Sequence, residues 1–288
     1  MNRRTFIKLS GLVAGYITFN FNKNISGSQL IDDYEIVLLK RKLKELESLD
    51  YTNDISVLVK SVGESFIGTP YEAGTLDVNL TEKLIIKLSG LDCVTFVENS
   101  LALSRLVKKQ KLTVEDFKEE LKFIRYRDGK LDGYLSRLHY FTDWIYDNEQ
   151  KGVVKDVTKE IGGKILNKNI NFMSTHTDSY KVLKKNPDLV DELKIIEEDI
   201  SQREIYYVPI TKVEDKYDLL NDGDIIATVT SIDGLDVTHT GLIYKSAGET
   251  KFLHASLKNK EVIITSGELT SYLQGIKKCT GIIIARPQ

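Results

Sequence analysis

The sequence changes grammar once, near Tyr206, and that change limits the folds open to it. Upstream, apolar residues recur at helical spacing over Leu30–Leu49, Ile55–Phe66, Cys93–Val107 and Val114–Tyr126. Downstream, GDIIATVTS, VTHTGLIYKS, TKFLHASL and CTGIIIARP are short, rich in β-branched residues and separated by turn formers. Helices followed by antiparallel strands predict an α+β domain. IGTPYEAG (Ile67–Gly74) reads as a loop from Gly68, Pro70 and Gly74. Thr113, three residues before Asp116, opens a helix as its cap. Tyr134–Tyr146 reads as a further, aromatic-rich helix, and Pro187 interrupts a late helical stretch.

Charge excludes several classes. Forty basic against forty-two acidic side chains give a net charge of −2, without the polybasic signature of a nucleic-acid or anionic-membrane binder. Two cysteines make no disulfide framework, and no CxxC pair suggests structural zinc or an iron–sulfur cluster. The N-terminus differs from the rest. Arg3, Arg4 and Lys8 precede the weakly polar run Leu9–Phe19, a signal-peptide layout. RRTFIK resembles a twin-arginine export signal, which predicts a periplasmic or cell-envelope protein. Residues 1–24 carry four basic groups and no acid, so their removal leaves 36 basic against 42 acidic residues, a net charge of −6. Any anionic substrate of such a body must be held by local cations.

Chemistry concentrates in LDCVTF (Leu91–Phe96). Asp92 reads as an N-cap, which puts Cys93 at the first helical position, where free backbone N–H groups and the helix dipole favour a thiolate or an oxyanion. His239 and His254 lie 15 residues apart on either side of KSAGET. If the hairpin turns at Ala247-Gly248, facing residues have numbers summing to 495. His254 then opposes Gly241, and His239 lies diagonally on the same face, within ring reach. Strict alternation puts Val237, His239, Gly241 and Ile243 on that face. The arrangement predicts a relay in which Cys93 attacks, His239 takes its proton and His254 orients His239. Zinc held by Cys93, His239 and His254 is the competing reading, although no short-spaced ligand pair supports it.

These residues resemble a known superfamily. GTPYEAG and LDCVTF are similar to the G-x-P-Y-x-x-G and D-C-x-x-F elements of NlpC/P60 cysteine peptidases and amidases. GDIIA, HTGLIY and FLHAS follow in the family order. LDCVTFVEN, YLSRLHYFTDWI, NFMSTH and GLDVTHTGL resemble the N-acetylmuramoyl-L-alanine amidase-like branch, the DUF1460 family.

The resemblance implies a papain-like core in which the nucleophile helix packs on an antiparallel sheet. It implies residues 25–288 as one catalytic domain, with a helical insertion at about 108–205. It implies Cys93, His239 and His254 as the triad, acting without metal or organic cofactor on peptidoglycan or muropeptides and without an obligate protein partner. The bond it favours joins the muramyl lactyl group to L-alanine. The γ-D-glutamyl–diamino-acid bond of the stem peptide is the alternative, and a non-catalytic cell-wall binder is another. Tyr71 would line the site, and Asp92 would hold substrate or serve only as a cap. In the insertion, Ser136, Arg137, His139 and Tyr140 would recognise substrate, Arg137 through a carboxylate unless a salt bridge already uses it. Met173 and His176 would build the adjoining wall. Cys279 is expected as a packed thiol; a disulfide to Cys93 would occupy the nucleophile.

Overall fold

The computed structural model describes residues 27–288, so the export-signal reading of residues 1–24 lies outside the described residues. The chain divides into two compact units, Met1–Tyr34 and Glu35–Gln288, and of the first only the opening turns of a helix are described. Five helices come first: α1 (Gly27–Leu46), α2 (Ile55–Glu64), α3 (Cys93–Lys109), α4 (Val114–Arg125) and α5 (Phe141–Gln150). Strands β1 (Val154–Asp156) and β2 (Lys164–Ile165) follow, then α6 (Phe172–Thr175), α7 (Lys181–Lys185) and α8 (Leu189–Gln202). The rest is β3 (Tyr206–Pro209), β4 (Ile225–Thr230), β5 (Val237–Ser246), β6 (Glu249–Ser256), β7 (Glu261–Ile264), α9 (Leu269–Gly275) and β8 (Cys279–Pro287). This is the α+β arrangement expected from the sequence.

All strand pairs are antiparallel, in the order β2-β3-β8-β4-β5-β6-β7, with β1 also paired to β8. Both faces of the central strands are covered. Ala227, Leu242, Leu253 and Ile283 join Val59 and Val62 of α2 and Phe96 and Leu101 of α3 in the larger core. Ile226, Ile243, Phe252 and Ile284 pack instead with Leu269 and Leu273 of α9. Gly63 lets α2 settle onto β5, because a Cβ there would lie 2.7 Å from Leu242 Cδ1. α3 is buried on nearly every side, as its all-round apolar pattern requires.

The β5–β6 hairpin turns on Ala247 (φ 53°) and Gly248 (φ 83°), a two-residue turn with both φ values positive. Leu242 pairs with Leu253 and Ile243 with Phe252, the register in which facing numbers sum to 495. One expectation fails. A bulge opposite Thr228 and Val229 makes His239 and Val237 their partners and leaves Thr238 extra. Val237 consequently packs against the larger core while Ile243 lies in the other, so the two do not share a face.

Tyr134–Tyr146 is not one helix either. Tyr134–Ser136 forms a single 3₁₀ turn after Gly133 (φ 72°), Arg137 pairs with Tyr126 in an isolated bridge, and the helix begins at Phe141.

Candidate active site

The start of α3 is fixed by its cap. Thr95 N–H donates to Asp92 Oδ1 (2.8 Å), and Asp92 N–H donates back to Thr95 Oγ1 (3.0 Å). Thr75 Oγ1 donates to the other carboxylate oxygen at 3.4 Å. This box holds Cys93 at the first helical position, where the backbone N–H groups of Thr240, Cys93 itself and Val94 favour its thiolate. Thr240 immediately follows His239, so the helix start abuts the histidine strand. Burial, with a further push from the Asp92 carboxylate, raises the thiol to about 12 despite those donors. The resting sulfur is therefore a thiol at neutral pH.

The two imidazoles form a pair. His239 Nε2 and His254 Nδ1 are 2.7 Å apart, with the rings nearly perpendicular at 87°. Gly241 makes this fit: a Cβ there would stand 2.7 Å from His254 Cβ. Phe252 stacks on His254 (centroids 4.9 Å), and Tyr272 of α9 closes over it at 4.7 Å. Burial lowers His239 to about 4; burial and then the neighbouring His239 lower His254 to about 3. Both rings are neutral near pH 7. The bond to His254 occupies His239 Nε2 and leaves Nδ1 for another proton. His254 Nε2 is buried without a hydrogen-bond partner.

A cavity of about 250 Å³ opens between these elements, lined by Asp92, Cys93 and the run Asp236–Thr240. Arg137, His139, Tyr140 and Met173 complete its wall. Arg137 is buried, its Nη2 2.6 Å from Asp77 Oδ1 and its Nε 3.2 Å from Glu82 Oε1, so two carboxylates already neutralise it. His139 Nε2 lies 2.8 Å from the Tyr134 carbonyl oxygen, and burial, with Arg137 nearby, holds its ring well below the usual histidine range. Tyr140 OH donates to Glu197 Oε1 (2.6 Å) and accepts from Met173 N–H (2.8 Å). Tyr71 feels the same groups: burial first, then Cys93 and Asp92, raise its phenol to about 12.

Three residues singled out in the sequence, Tyr71, Ser136 and His176, do not line this cavity. Ser136 closes its own turn, donating to the Gly133 carbonyl (2.7 Å) and accepting from Asp132 N–H (2.9 Å). The helix expected over Tyr134–Tyr146 does not include it. His176 is exposed, stacked on Phe172 at 4.1 Å with Nδ1 2.9 Å from that residue's carbonyl oxygen.

The structure adds residues that sequence reasoning missed. Asp77 and Tyr180 line the cavity, as does the ion pair of Glu98 Oε2 and Arg125 Nε at 2.7 Å. Asp236, also in the lining, accepts from Thr142 N–H and Oγ1, each at 2.9 Å. Tyr272 covers the histidines. Glu98 lies within LDCVTFVEN and Asp236 within GLDVTHTGL, whereas Asp77, Arg125, Tyr180 and Tyr272 lie outside the quoted motifs and are brought in by long-range packing.

Zinc finds no convergent donor set here. The two imidazoles face each other, and among the described residues no group of three or more His, Cys, Asp or Glu is arranged to hold a metal ion. Cys93 and Cys279 are both free thiols.

Comparison with known proteins places this geometry. The model of a family described as N-acetylmuramoyl-L-alanine amidase-like, or AmiA-like, matches residues 61–282. A crystal structure of an N-acetylmuramoyl-L-alanine amidase from Bacteroides uniformis is 36% identical, with a TM-score of 0.78 over 82% of this chain and 100% of that one. A putative xylanase from Bacteroides fragilis is 41% identical, with a TM-score of 0.75 over 78% of this chain and 99% of that one. A Legionella pneumophila protein assigned to DUF1460 shares the fold at 22% identity, with a TM-score of 0.67 over 90% of this chain and 96% of that one. Among curated proteins none matches. The α+β core, with its nucleophile helix against an antiparallel sheet, is of the papain-like NlpC/P60 type.

Proposed function

The chain belongs to the N-acetylmuramoyl-L-alanine amidase-like family, and we propose that it hydrolyses the amide between the muramyl lactyl group and L-alanine in peptidoglycan or its fragments. The observation that carries this reading is that helix-capped Cys93 and His239 line one cavity, with His254 2.7 Å behind His239. The cleavage pathway follows from the state of each group. With His239 Nε2–H donating to His254 Nδ1, the Nδ1 lone pair of His239 is available. As the Cys93 sulfur attacks the lactyl carbonyl, its proton passes to that nitrogen. Backbone N–H groups at the start of α3 hold the resulting oxyanion. Collapse breaks the C–N bond, and the imidazolium proton goes to the departing amine. Water then gives a proton to His239 and its oxygen to the thioester carbon, releasing the acid and restoring the thiol.

Glycan hydrolysis, as the Bacteroides fragilis name suggests for that protein, finds less support in this cavity. It calls for two available carboxyl groups flanking a sugar bond. Here Asp92 caps a helix, Asp236 receives Thr142, Glu98 holds Arg125 and Asp77 holds Arg137. The γ-D-glutamyl–diamino-acid bond remains the chemical alternative, since the same machinery would cleave it. We propose further that the twin-arginine-like Arg3-Arg4 segment directs the chain to the periplasm or cell envelope.

Digestion of defined muropeptides, with product masses read by mass spectrometry, tests the reading. The expected products are a free stem peptide and a peptide-free muramyl acid. Cleavage inside the stem would replace the proposed bond with the alternative, and no cleavage by the wild-type protein would favour a binding role.

A further inference from the structure

A second and larger cavity, of about 910 Å³, lies on the other side of His239 and shares Thr238 and His239 with the first. Tyr272, Ser266, Ser271, Lys258 and Lys277 line it, but Cys93 does not. We infer that this cavity receives the carboxylate-bearing peptide half of the substrate, the half that departs as the amine. The inference rests on the amidase reading above and assigns a direction to the substrate across His239.

Two independent observations support that direction. The first is chemical. The acyl half becomes bonded to the Cys93 sulfur and so belongs in the cavity that Cys93 lines. The amine half takes its proton from His239 and must leave without crossing the thioester. The larger cavity touches His239 alone of the pair.

The second is electrostatic. In the smaller cavity both guanidinium groups are already matched, Arg125 by Glu98 and Arg137 by Asp77 and Glu82. Asp92 and Asp236 add two carboxyl groups there. A stem-peptide carboxylate would be repelled there. In the larger cavity neither Lys258 nor Lys277 has a carboxylate within 4.0 Å among the described residues. Its one acid, Glu268, already accepts from Thr250 N–H at 3.1 Å. Two available ammonium groups at a hollow that mixes apolar side chains with the hydroxyls of Ser266 and Ser271 match a peptide bearing several carboxylates.

Calorimetric titration with the product peptide L-Ala–γ-D-Glu–diaminopimelate, against the same peptide with its carboxyl groups amidated, tests this without requiring turnover. Wild-type protein is expected to prefer the free acid by about tenfold, a preference that shrinks with salt. Lys258→Ala/Lys277→Ala is expected to abolish the preference, and Lys258→Arg/Lys277→Arg to restore it. Both lysines are exposed, so the variants probe charge rather than folding. A preference that survives the alanine pair, equal binding of the two peptides, or no binding of either would overturn the assignment. The amidase reading is judged separately: muropeptide cleavage with peptide binding indifferent to the lysines keeps that reading and rejects this one. Lysine-dependent peptide binding without muropeptide cleavage does the reverse.

Discussion

The hairpin and the opposite wall of the small cavity are both rich in polar groups, yet those groups are in different conditions. On the wall, charges and polar groups are paired, although Arg137 Nε and Glu197 Oε2 lack a hydrogen-bond partner: Arg137 faces Asp77 and Glu82, His139 meets a backbone carbonyl, and Tyr140 lies between Glu197 and Met173 N–H. At the hairpin, His239 uses one ring nitrogen and keeps the other, and His254 Nε2 has no partner at all. Charges matched in ion pairs fix shape, whereas neutral imidazoles with a free ring nitrogen can move protons. The difference fits the proposal that the cysteine–histidine edge does the chemistry and the wall shapes the pocket for the acyl half.

The sharpest way to break that division is to remove the proposed nucleophile. Cys93→Ala is expected to lower kcat by at least about 10⁴-fold in the muropeptide assay, with thermal unfolding close to wild type. Retained turnover would move the chemistry elsewhere. The wall gives the opposite response. Glu98→Gln leaves the Arg125 guanidinium buried without its counter-charge, and about 3–5 kcal/mol of stability should be lost, read from denaturant midpoints. Glu98→Met/Arg125→Met, which removes both charges, should regain most of it. A stable Glu98→Gln protein would mean that the wall is not held by charge closure.

The third change returns to the hairpin. His254→Leu removes the acceptor for His239 Nε2–H, so kcat should fall by roughly 10²–10³-fold with KM little altered. His254→Asn keeps an acceptor oxygen and should recover much of the rate. Equal losses in both variants would point to packing against Phe252 and Tyr272 instead of orientation.

Legibility in the sequence follows the same division. The limits of β5 and β8, the turn at Ala247-Gly248 and the hairpin register are all local consequences of period-two patterning and turn chemistry, and the sequence carries them. The cap at Asp92 is equally local. What was not legible depends on distant chain. Arg137–Tyr140 runs extended because Arg137 bridges to Tyr126, and Tyr272 reaches His254 only because α9 folds back on the sheet. The bulge that turns Val237 away depends on β4, whose pairing no pattern within β5 announces. The two-carboxylate closure of Arg137 required Asp77 and Glu82, which sit in a loop far from the motif that marked the arginine.

Acidity offers a gentler test, because desolvation is what distinguishes the hairpin rings from ordinary histidines. Burial holds His239 at about 4 and His254 at about 3, while the unfolded chain has both near 6.5. Below about pH 6.5 the unfolded chain therefore binds protons that the folded hairpin refuses. Stability from this source is full above that pH and is lost as pH falls toward 4, which denaturant midpoints at pH 7 and pH 5 would read. Catalysis follows the folded value. The acid limb of kcat/KM should lie near 4 and drop about tenfold per pH unit below it, since protonated His239 cannot take the thiol proton. A limb near 6.5 would mean that water reaches the rings, and the contrast with the wall would then rest on hydrogen-bond closure alone.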